Sequence, residues 1–236
     1  MNSLKEIQDL WRDEESIHKL IAETLYHKTN EVPALKELRD FIETNTYGHG
    51  ERCFYWMWKL IVDEMPKEFR FLEIGVHRGQ ILALIRVLAD IAGKEVFRYG
   101  ISPMDGATLN IESDFYADVE KLHDLFSIEK DYNIIKGLST DPAIIAEAQK
   151  LSLDILYIDG GHDFDTVKSD LINYLPLVKV GGYAVIDDAC NEMQLPSGYF
   201  GGIQSVTDAV LAHPLPNEQF EFVCSVGHNK VFQRVK

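Results

Sequence analysis

Acidic residues follow three separate apolar segments of the chain, at positions where strands of a sheet would end. Glu73 closes the run FRFLE at 69–73, Asp159 follows the apolar run 155–158, and Asp187 and Asp188 follow the run 183–186. In an open α/β sheet, ligands collect at the carboxyl ends of the strands, so these four carboxylates should converge on one edge. Such crowded like charges are relieved by protonation or by a bound cation. Oxygen donors without a soft cysteine and histidine set favour Mg²⁺ or Ca²⁺, with Mn²⁺ as a further candidate.

The two consecutive aspartates place a condition on this site. Consecutive residues of a pleated strand face opposite ways, so Asp187 and Asp188 address one point only if the strand ends between them and the backbone turns. The alternative is that Asp159 and Asp187 cap the helices that follow, a common use of aspartate after a strand. Asp163 and Asp165 are interpreted as capping or first-turn charges of the next helix.

A glycine motif, Glu73-Ile74-Gly75-Val76-His77-Arg78-Gly79, ends the first apolar strand and opens a helix. Gly75 permits a tight turn with positive φ, and Gly79 would let the backbone approach a ligand at the positive end of the helix. This arrangement suits an anionic or carboxylate-bearing cofactor. The spacing differs from the G-x-G-x-x-G of dinucleotide-binding folds, and an ordinary strand-to-helix turn is the alternative.

Short apolar strands and helical stretches alternate from Phe69 onward, which predicts an α/β fold with a parallel sheet covered on both faces. The last two strands are joined only by Gly227-His228-Asn229, which is too short for a parallel crossover, so the final strand should run antiparallel. Residues 1–66 carry apolar residues at helical spacing and predict a helical N-terminal cover. The expected division is therefore 1–66 and 67–236, and the aromatic run 53–58 is interpreted as core packing.

Composition narrows the classes of partner. The 236 residues are 46% hydrophobic, enough for a large core, and 23 Lys+Arg against 38 Asp+Glu give a net charge of −15. A protein with this balance lacks the clustered cations that bind nucleic acid or anionic lipid, so neither partner is expected.

The three cysteines are widely spaced and form no C-x-x-C pair, which fits a reducing compartment and predicts a cytoplasmic protein. No stretch approaches the roughly 18 to 20 apolar residues that cross a bilayer, so no membrane association is expected. An apolar helical N-terminus could pair two subunits, and a homodimer is one possible assembly.

Three motifs taken together resemble those of a known family. The series E-x-G-x-x-x-G, I-D-G-x-H and G-G-x-x-x-x-D-D is similar to class I S-adenosylmethionine-dependent methyltransferases. The similarity is greatest to metal-dependent O-methyltransferases of the catechol type and of the macrocin and sugar-modifying type. It spans about Phe69 to His213 and includes Phe200-Gly201-Gly202-Ile203. The resemblance implies a Rossmann-like sheet, mostly parallel with the last strand antiparallel, that binds S-adenosylmethionine and Mg²⁺ or another hard divalent cation.

The resemblance also implies roles for individual residues. The cation would be held by Asp159, Asp187 and Asp188. His162 stands where catechol-type enzymes keep a basic residue near the substrate hydroxyl, and it is the candidate general base; the alternative is that it only bonds backbone carbonyls of its loop. The positions that match cofactor-binding segments are Glu73, Gly75 and Gly79 around the methionine part, and Gly137, Ser139 and Thr140 beside the adenine.

Two positions depart from the family pattern. The family usually carries an acidic residue at the end of the second strand to bind the ribose hydroxyls, whereas this chain reads Tyr99-Gly100-Ile101-Ser102-Pro103. Ser102 or the later Asp105 must take that role, or cofactor binding is altered. The hydroxyl residue often found after the second glycine is replaced by Gln80-Ile81.

These observations predict an O-methyltransferase that acts on a hydroxyl of a small molecule such as a sugar, a polyketide or a catechol-like acceptor. Methyl transfer from a sulfonium depends mainly on positioning, and a cation together with an imidazole can activate the acceptor oxygen. Two other hypotheses remain at this point: a nucleotide-binding oxidoreductase, and a non-catalytic protein that keeps the fold.

Overall fold

A computed structural model describes residues 1–105, 114–213, 215 and 217–236. Among these residues, nine α-helices and a short 3-10 helix (Leu175–Leu177) surround a sheet of seven strands. The strands are β1 Glu68–Ile74, β2 Glu95–Ser102, β3 Tyr132–Lys136, β4 Leu153–Ile158, β5 Val178–Ile186, β6 Phe220–Val226 and β7 Asn229–Arg234. The helices are α1 Leu4–Leu10, α2 Glu15–Glu31, α3 Pro33–Asn45, α4 Cys53–Glu64, α5 Gln80–Ala92, α6 Phe115–Leu125, α7 Pro142–Ala148, α8 Phe164–Tyr174 and α9 Gln204–Ala212.

The sheet has the order β3-β2-β1-β4-β5-β7-β6. Strands β1 to β5 pair in parallel, and β7 pairs antiparallel with both β5 and β6. The predicted mostly parallel sheet with an antiparallel last strand is therefore confirmed. The physical reason is the two-residue link between β6 and β7, which can only reverse the chain.

Both faces of the sheet are covered. Alternate residues of the central strands pack on one side against α4 and α5 and on the other against α8 and α9. All six residues of β4 are buried, as expected for a central parallel strand. The aromatic run in α4 forms part of this core, since Tyr55 and Trp58 are at most 1% exposed, which confirms the core-packing interpretation.

The four N-terminal helices share one hydrophobic core with the sheet. Helix α2 packs along α4, α4 packs on α5, and α1 contacts β6. No helix within the described ranges has the length and apolar character that a membrane crossing requires. The helical cover therefore packs on the same face of the sheet as α5.

Candidate active site

A cavity of about 890 Å³ opens at the carboxyl ends of the parallel strands. Residues that follow β1, β2, β3, β4 and β5 all line it, and the loop 48–51 and Phe54 close it from the helical cover. Because parallel strands present their carboxyl ends at one edge, residues far apart in sequence meet in this space. The convergence predicted from the sequence is found here: Glu73, Asp159, Asp187 and Asp188 all line the cavity.

Glu73 is the most enclosed of these carboxylates. The residue is 2% exposed, and its Oε2 atom has no hydrogen-bond partner among the described residues. Burial raises the pKa of Glu73 well above its usual range, opposed by the main-chain N–H of Leu82. A buried oxygen without a partner suits a ligand that brings a hydrogen-bond donor or a positive charge.

The two glycines of the turn after β1, Gly75 and Gly79, are required for different structural reasons. Gly75 has φ of 98°, and a Cβ there would lie 1.7 Å from the carbonyl oxygen of Asp159. Only glycine lets the end of β1 approach the end of β4 this closely. Gly79 has φ of 78° at the start of α5, and a Cβ there would meet Val119 at 2.9 Å.

The expected contact of Gly79 with a ligand stays a prediction. Gly79 is not among the residues that line the cavity, and its open side faces helix α6. A glycine is required at position 79 because the backbone is left-handed there and because α6 packs closely against it. Neighbouring residues of the turn, from Gly75 to Arg78, line the cavity instead.

The predicted ribose and adenine positions lie on the same cavity wall. Ser102 and Ser139 are buried and Thr140 is exposed, and all three line the cavity. The hydroxyl of Tyr174 donates to the carbonyl oxygen of Ser139 at 2.7 Å, which ties this loop to α8. Asp105 also lines the cavity, so both residues considered for the ribose are placed beside it.

Asp187 and Asp188 meet the condition set by the sequence. Strand β5 ends at Ile186, and Asp188 has φ of 55°, so the backbone turns between the two aspartates. The Nε2 atom of His228 lies 3.4 Å from Asp187 Oδ1 and 3.8 Å from Asp188 Oδ1. One ligand atom from each of these three residues lies within 4.8 Å of the others, a spacing that one metal ion could bridge.

Asp159 completes the acidic cluster from the neighbouring strand. Burial and the negative charge of Asp187 raise the pKa of Asp159 well above its usual range. Burial raises the pKa of Asp187 to about 6, and burial and Asp187 also raise the pKa of Asp188. These carboxylates are costly to ionise together, and a bound cation would relieve that cost. Asp187 Oδ1 is also buried and has no hydrogen-bond partner among the described residues, which fits the same cation.

The capping alternative for these aspartates is wrong. Helix α8 is capped by Asp163, whose Oδ1 accepts from the N–H of Thr166 at 2.9 Å, as interpreted from the sequence. Helix α9 has Ile203 at its N-cap. Asp159 and Asp187 therefore cap neither helix, and both line the cavity.

His162 lies at the outer lip of the acidic cluster. Its Nε2 atom is 3.5 Å from Asp188 Oδ2, and the side chain is 48% exposed. Its loop is fixed from the other side, because the hydroxyl of Ser205 donates to the His162 carbonyl at 2.6 Å. The imidazole of His162 can therefore contact a group in the cavity while it stays close to the carboxylate of Asp188.

The sequence analysis gave no role at the site to the cavity residues Glu51, Phe54, His77 and His228. His77 has φ of 46° and stacks on His49 with ring centres 5.4 Å apart. Burial lowers the pKa of His77 to about 4, so this imidazole is neutral at pH 7. In the sequence, the position of His77 inside the glycine motif at 73–79 was the signal that could have singled it out.

The loop that carries His49 is held by a buried arginine. The guanidinium of Arg39, 5% exposed, donates to the carbonyls of His49 and Gly50. We expect Arg39→Met to lower the free energy of unfolding by about 2–4 kcal/mol, because three charge-assisted bonds are lost, to the two carbonyls and to the carboxylate of Glu43. Amide exchange at residues 47–51 should also become faster, whereas Lys36→Met, an exposed cation on the same helix, should change neither. Equal exchange in the two variants would show that Arg39 does not hold the loop.

The strand order, the inserted antiparallel strand and the cavity at the carboxyl edge define the Rossmann-like fold of class I S-adenosylmethionine-dependent methyltransferases. A family model described as a methyltransferase domain matches residues 72–189, half of the chain. The chain therefore belongs to the methyltransferase domain family.

The chain is also similar to individual proteins, one by its sequence and two solved structures by their fold. The chain is 28% identical over 153 residues to the uncharacterized protein R132 of Acanthamoeba polyphaga mimivirus; the match covers 63% of this chain and 64% of that protein. A putative caffeoyl-CoA O-methyltransferase from Staphylococcus aureus superposes with a TM-score of 0.63 at 15% identity, covering 93% of this chain and 99% of that one. The methyltransferase MycE, crystallised with Mg, SAH and mycinamycin VI, gives 0.56 at 17% identity, covering 86% of this chain and 55% of that one.

Proposed function

We propose that this protein transfers the methyl group of S-adenosylmethionine to a hydroxyl of a small molecule, with a divalent cation at the acidic cluster. The observation that carries the proposal is a single cavity shared by the glycine turn after β1 and by Asp159, Asp187 and Asp188. Family membership supports the methyltransferase reaction. The acceptor classes considered are a sugar, a polyketide and a catechol-like compound, and MycE, crystallised with mycinamycin VI, is a structural neighbour that binds a small molecule.

The residues present fit the cofactor. The unpartnered Oε2 atom of Glu73 would accept from the ammonium group of its methionine part, at the turn around Gly75. Ser102 or Asp105 would bind the ribose, and Ser139 and Thr140 would border the adenine. When bound, S-adenosylmethionine supplies a methyl group already activated by its sulfonium. The protein's contribution is to align the acceptor and to exclude water.

The acidic cluster would hold the cation through Asp159, Asp187 and Asp188, and Mg²⁺ or another hard ion suits their oxygens. A bound cation supplies charge that lowers the pKa of the acceptor hydroxyl. His162 would take the hydroxyl proton at Nε2, and the carboxylate of Asp188, 3.5 Å away, would stabilise the imidazolium.

The acceptor would lie against the helical cover. Phe54 and Phe200 flank His228 with their ring centres 4.8 and 5.2 Å from the imidazole, and both line the cavity. This aromatic wall offers a face to an apolar or ring-shaped acceptor, and the loop 48–51 borders it. Phe200 is 51% exposed, so acceptor binding would bury more of it.

The first test is cofactor binding measured by calorimetry. We expect the protein to bind S-adenosylmethionine and S-adenosylhomocysteine but not NAD, and Glu73→Gln to weaken binding by about tenfold or more, because a charge-assisted bond becomes a neutral one. Glu68→Gln, at the exposed start of the same strand, is the matched control. Preferential NAD binding would favour the oxidoreductase, and binding of neither cofactor would favour a non-catalytic protein. Transfer of a labelled methyl group to a panel of hydroxyl compounds then identifies the acceptor class.

A further inference from the structure

A histidine completes the acidic cluster from a part of the sheet outside the parallel strands. His228 is 5% exposed and lies in the two-residue turn between β6 and β7. Its Nε2 atom faces both aspartates of the β5 end, at 3.4 and 3.8 Å. A buried imidazole directed at two carboxylate oxygens is an arrangement that the oxygen-only donor set expected from the sequence does not include.

The fold fixes this imidazole in place. The N–H of Ala189 donates to the carbonyl oxygen of His228 at 2.9 Å, which joins the turn to the residue directly after Asp188. The rings of Phe54 and Phe200 both make edge-to-face contacts with the imidazole, with ring centres 4.8 and 5.2 Å away. Restricted in this way, the ring cannot turn from the carboxylates without moving an aromatic neighbour.

The distances fit ligands of one ion better than a hydrogen bond. Two ligand atoms each about 2.1 Å from a shared ion lie roughly 3.0–3.5 Å apart. The 3.4 Å separation of His228 Nε2 and Asp187 Oδ1 falls in this range, whereas N–H···O bonds are usually about 2.9 Å. Asp187 Oδ1 is also buried and without a hydrogen-bond partner among the described residues, so an acceptor is available for an ion.

We propose that His228 Nε2 is a direct ligand of the cation held by Asp187 and Asp188, and that this nitrogen shifts the preference of the site from Mg²⁺ towards transition-series ions such as Mn²⁺ and Co²⁺. The inference rests on the cation site of the proposed function. Carboxylate and water suit Mg²⁺, while imidazole favours the transition-series ions, so one nitrogen in an oxygen set changes selectivity. The imidazole of His228 would then give this site a metal preference different from that of a site with oxygen ligands only.

The test is Mn²⁺ and Mg²⁺ binding to the whole chain together with pulsed electron paramagnetic resonance of the bound Mn²⁺. We expect Mn²⁺ to bind more tightly than Mg²⁺ and to show ¹⁴N modulation from the imidazole. His228→Gln places an amide at the Nε2 position, so it should abolish the modulation and lower Mn²⁺ affinity by about 10- to 100-fold, with a change of less than about threefold for Mg²⁺. His162→Gln, which removes the other nearby imidazole, should leave the modulation unchanged.

The outcomes separate this inference from the proposed function. Bound Mn²⁺ without ¹⁴N modulation, or modulation lost in His162→Gln and kept in His228→Gln, would overturn the His228 ligand while the cation site stands. Absence of any metal binding, with S-adenosylhomocysteine still bound, would overturn both the ligand and the cation. Melting curves and S-adenosylhomocysteine binding verify that each variant is folded. Should His228→Gln not fold, modulation that survives in both His162→Gln and His49→Gln supports His228, and its loss in either contradicts it.

Discussion

Replacing Asp187 and Asp188 together with asparagine should lower the turnover of methyl transfer by roughly 10³-fold or more, since the cation and the partner of the general base are lost together. The remaining activity should no longer depend on added metal. The same change should raise the melting temperature of the metal-free protein, because burial makes both carboxylates costly to ionise and the charge of Asp187 adds to that cost at Asp188. Lost activity with gained stability distinguishes a site effect from unfolding.

The control for this pair is a second double variant of equal charge. Asp165→Asn with Asp208→Asn removes two exposed carboxylates on α8 and α9, outside the cavity. It should leave turnover, metal dependence and melting temperature close to those of the parent. Unchanged turnover and metal dependence in the Asp187 and Asp188 variant would refute the proposed cation site.

Asp170→Asn should remove a large part of the pH dependence of stability. Asp170 lies in α8 with no exposed surface, and burial raises its pKa to about 7, opposed in part by the side chain of Ser139. The folded form therefore holds a proton that the unfolded chain releases near pH 4, so stability is highest at acid pH and falls as the pH rises towards 7. The loss is on the order of 4 kcal/mol.

Denaturant unfolding at pH 5 and pH 8 measures this effect. At pH 5 the variant should already be more stable than the parent by about 1–2 kcal/mol, because the carboxyl of Asp170 is ionised in the unfolded chain but still protonated in the folded form. At pH 8 the asparagine variant should be more stable, by about 2–4 kcal/mol. The acidic cluster contributes its own pH dependence to both proteins, so the comparison uses the difference between them. Asp165→Asn, on the exposed side of the same helix, is the control, and equal pH slopes in Asp170→Asn and the parent would show that Asp170 is not the titrating group.

The fold was predictable because its signals are local and repeated. Apolar strands alternate with helical stretches, and a short link at residues 227–228 forces the antiparallel strand. The meeting of Asp159 with Asp187 followed from one topological rule, that parallel strands share their carboxyl edge. A turn of the backbone between Asp187 and Asp188 was the condition for these side chains to meet, but the left-handed conformation of Asp188 was not predicted.

The rest of the site depends on packing between distant segments. His228 reaches the cluster because β7 lies beside β5, and the sequence indicated the direction of β7 but not its neighbour. Gly79 was assigned to a ligand because its spacing matched a motif, while the partner that requires glycine, Val119, comes from another helix. His49 lines the cavity from a loop whose carbonyl accepts a hydrogen bond from Arg39 of helix α3, a contact between segments that the sequence does not indicate.

The interior position of β7 has a consequence for how the molecule is assembled during synthesis. Strand β7 follows every other described strand along the chain, yet it lies between β5 and β6. Until it emerges from the ribosome, β6 has no partner through which to join the sheet, and the edge of β5 stays open. The nascent polypeptide can therefore form the part of the pocket beside β1, β2 and β3 early, but the imidazole of His228 reaches Asp187 and Asp188 only when β7 inserts.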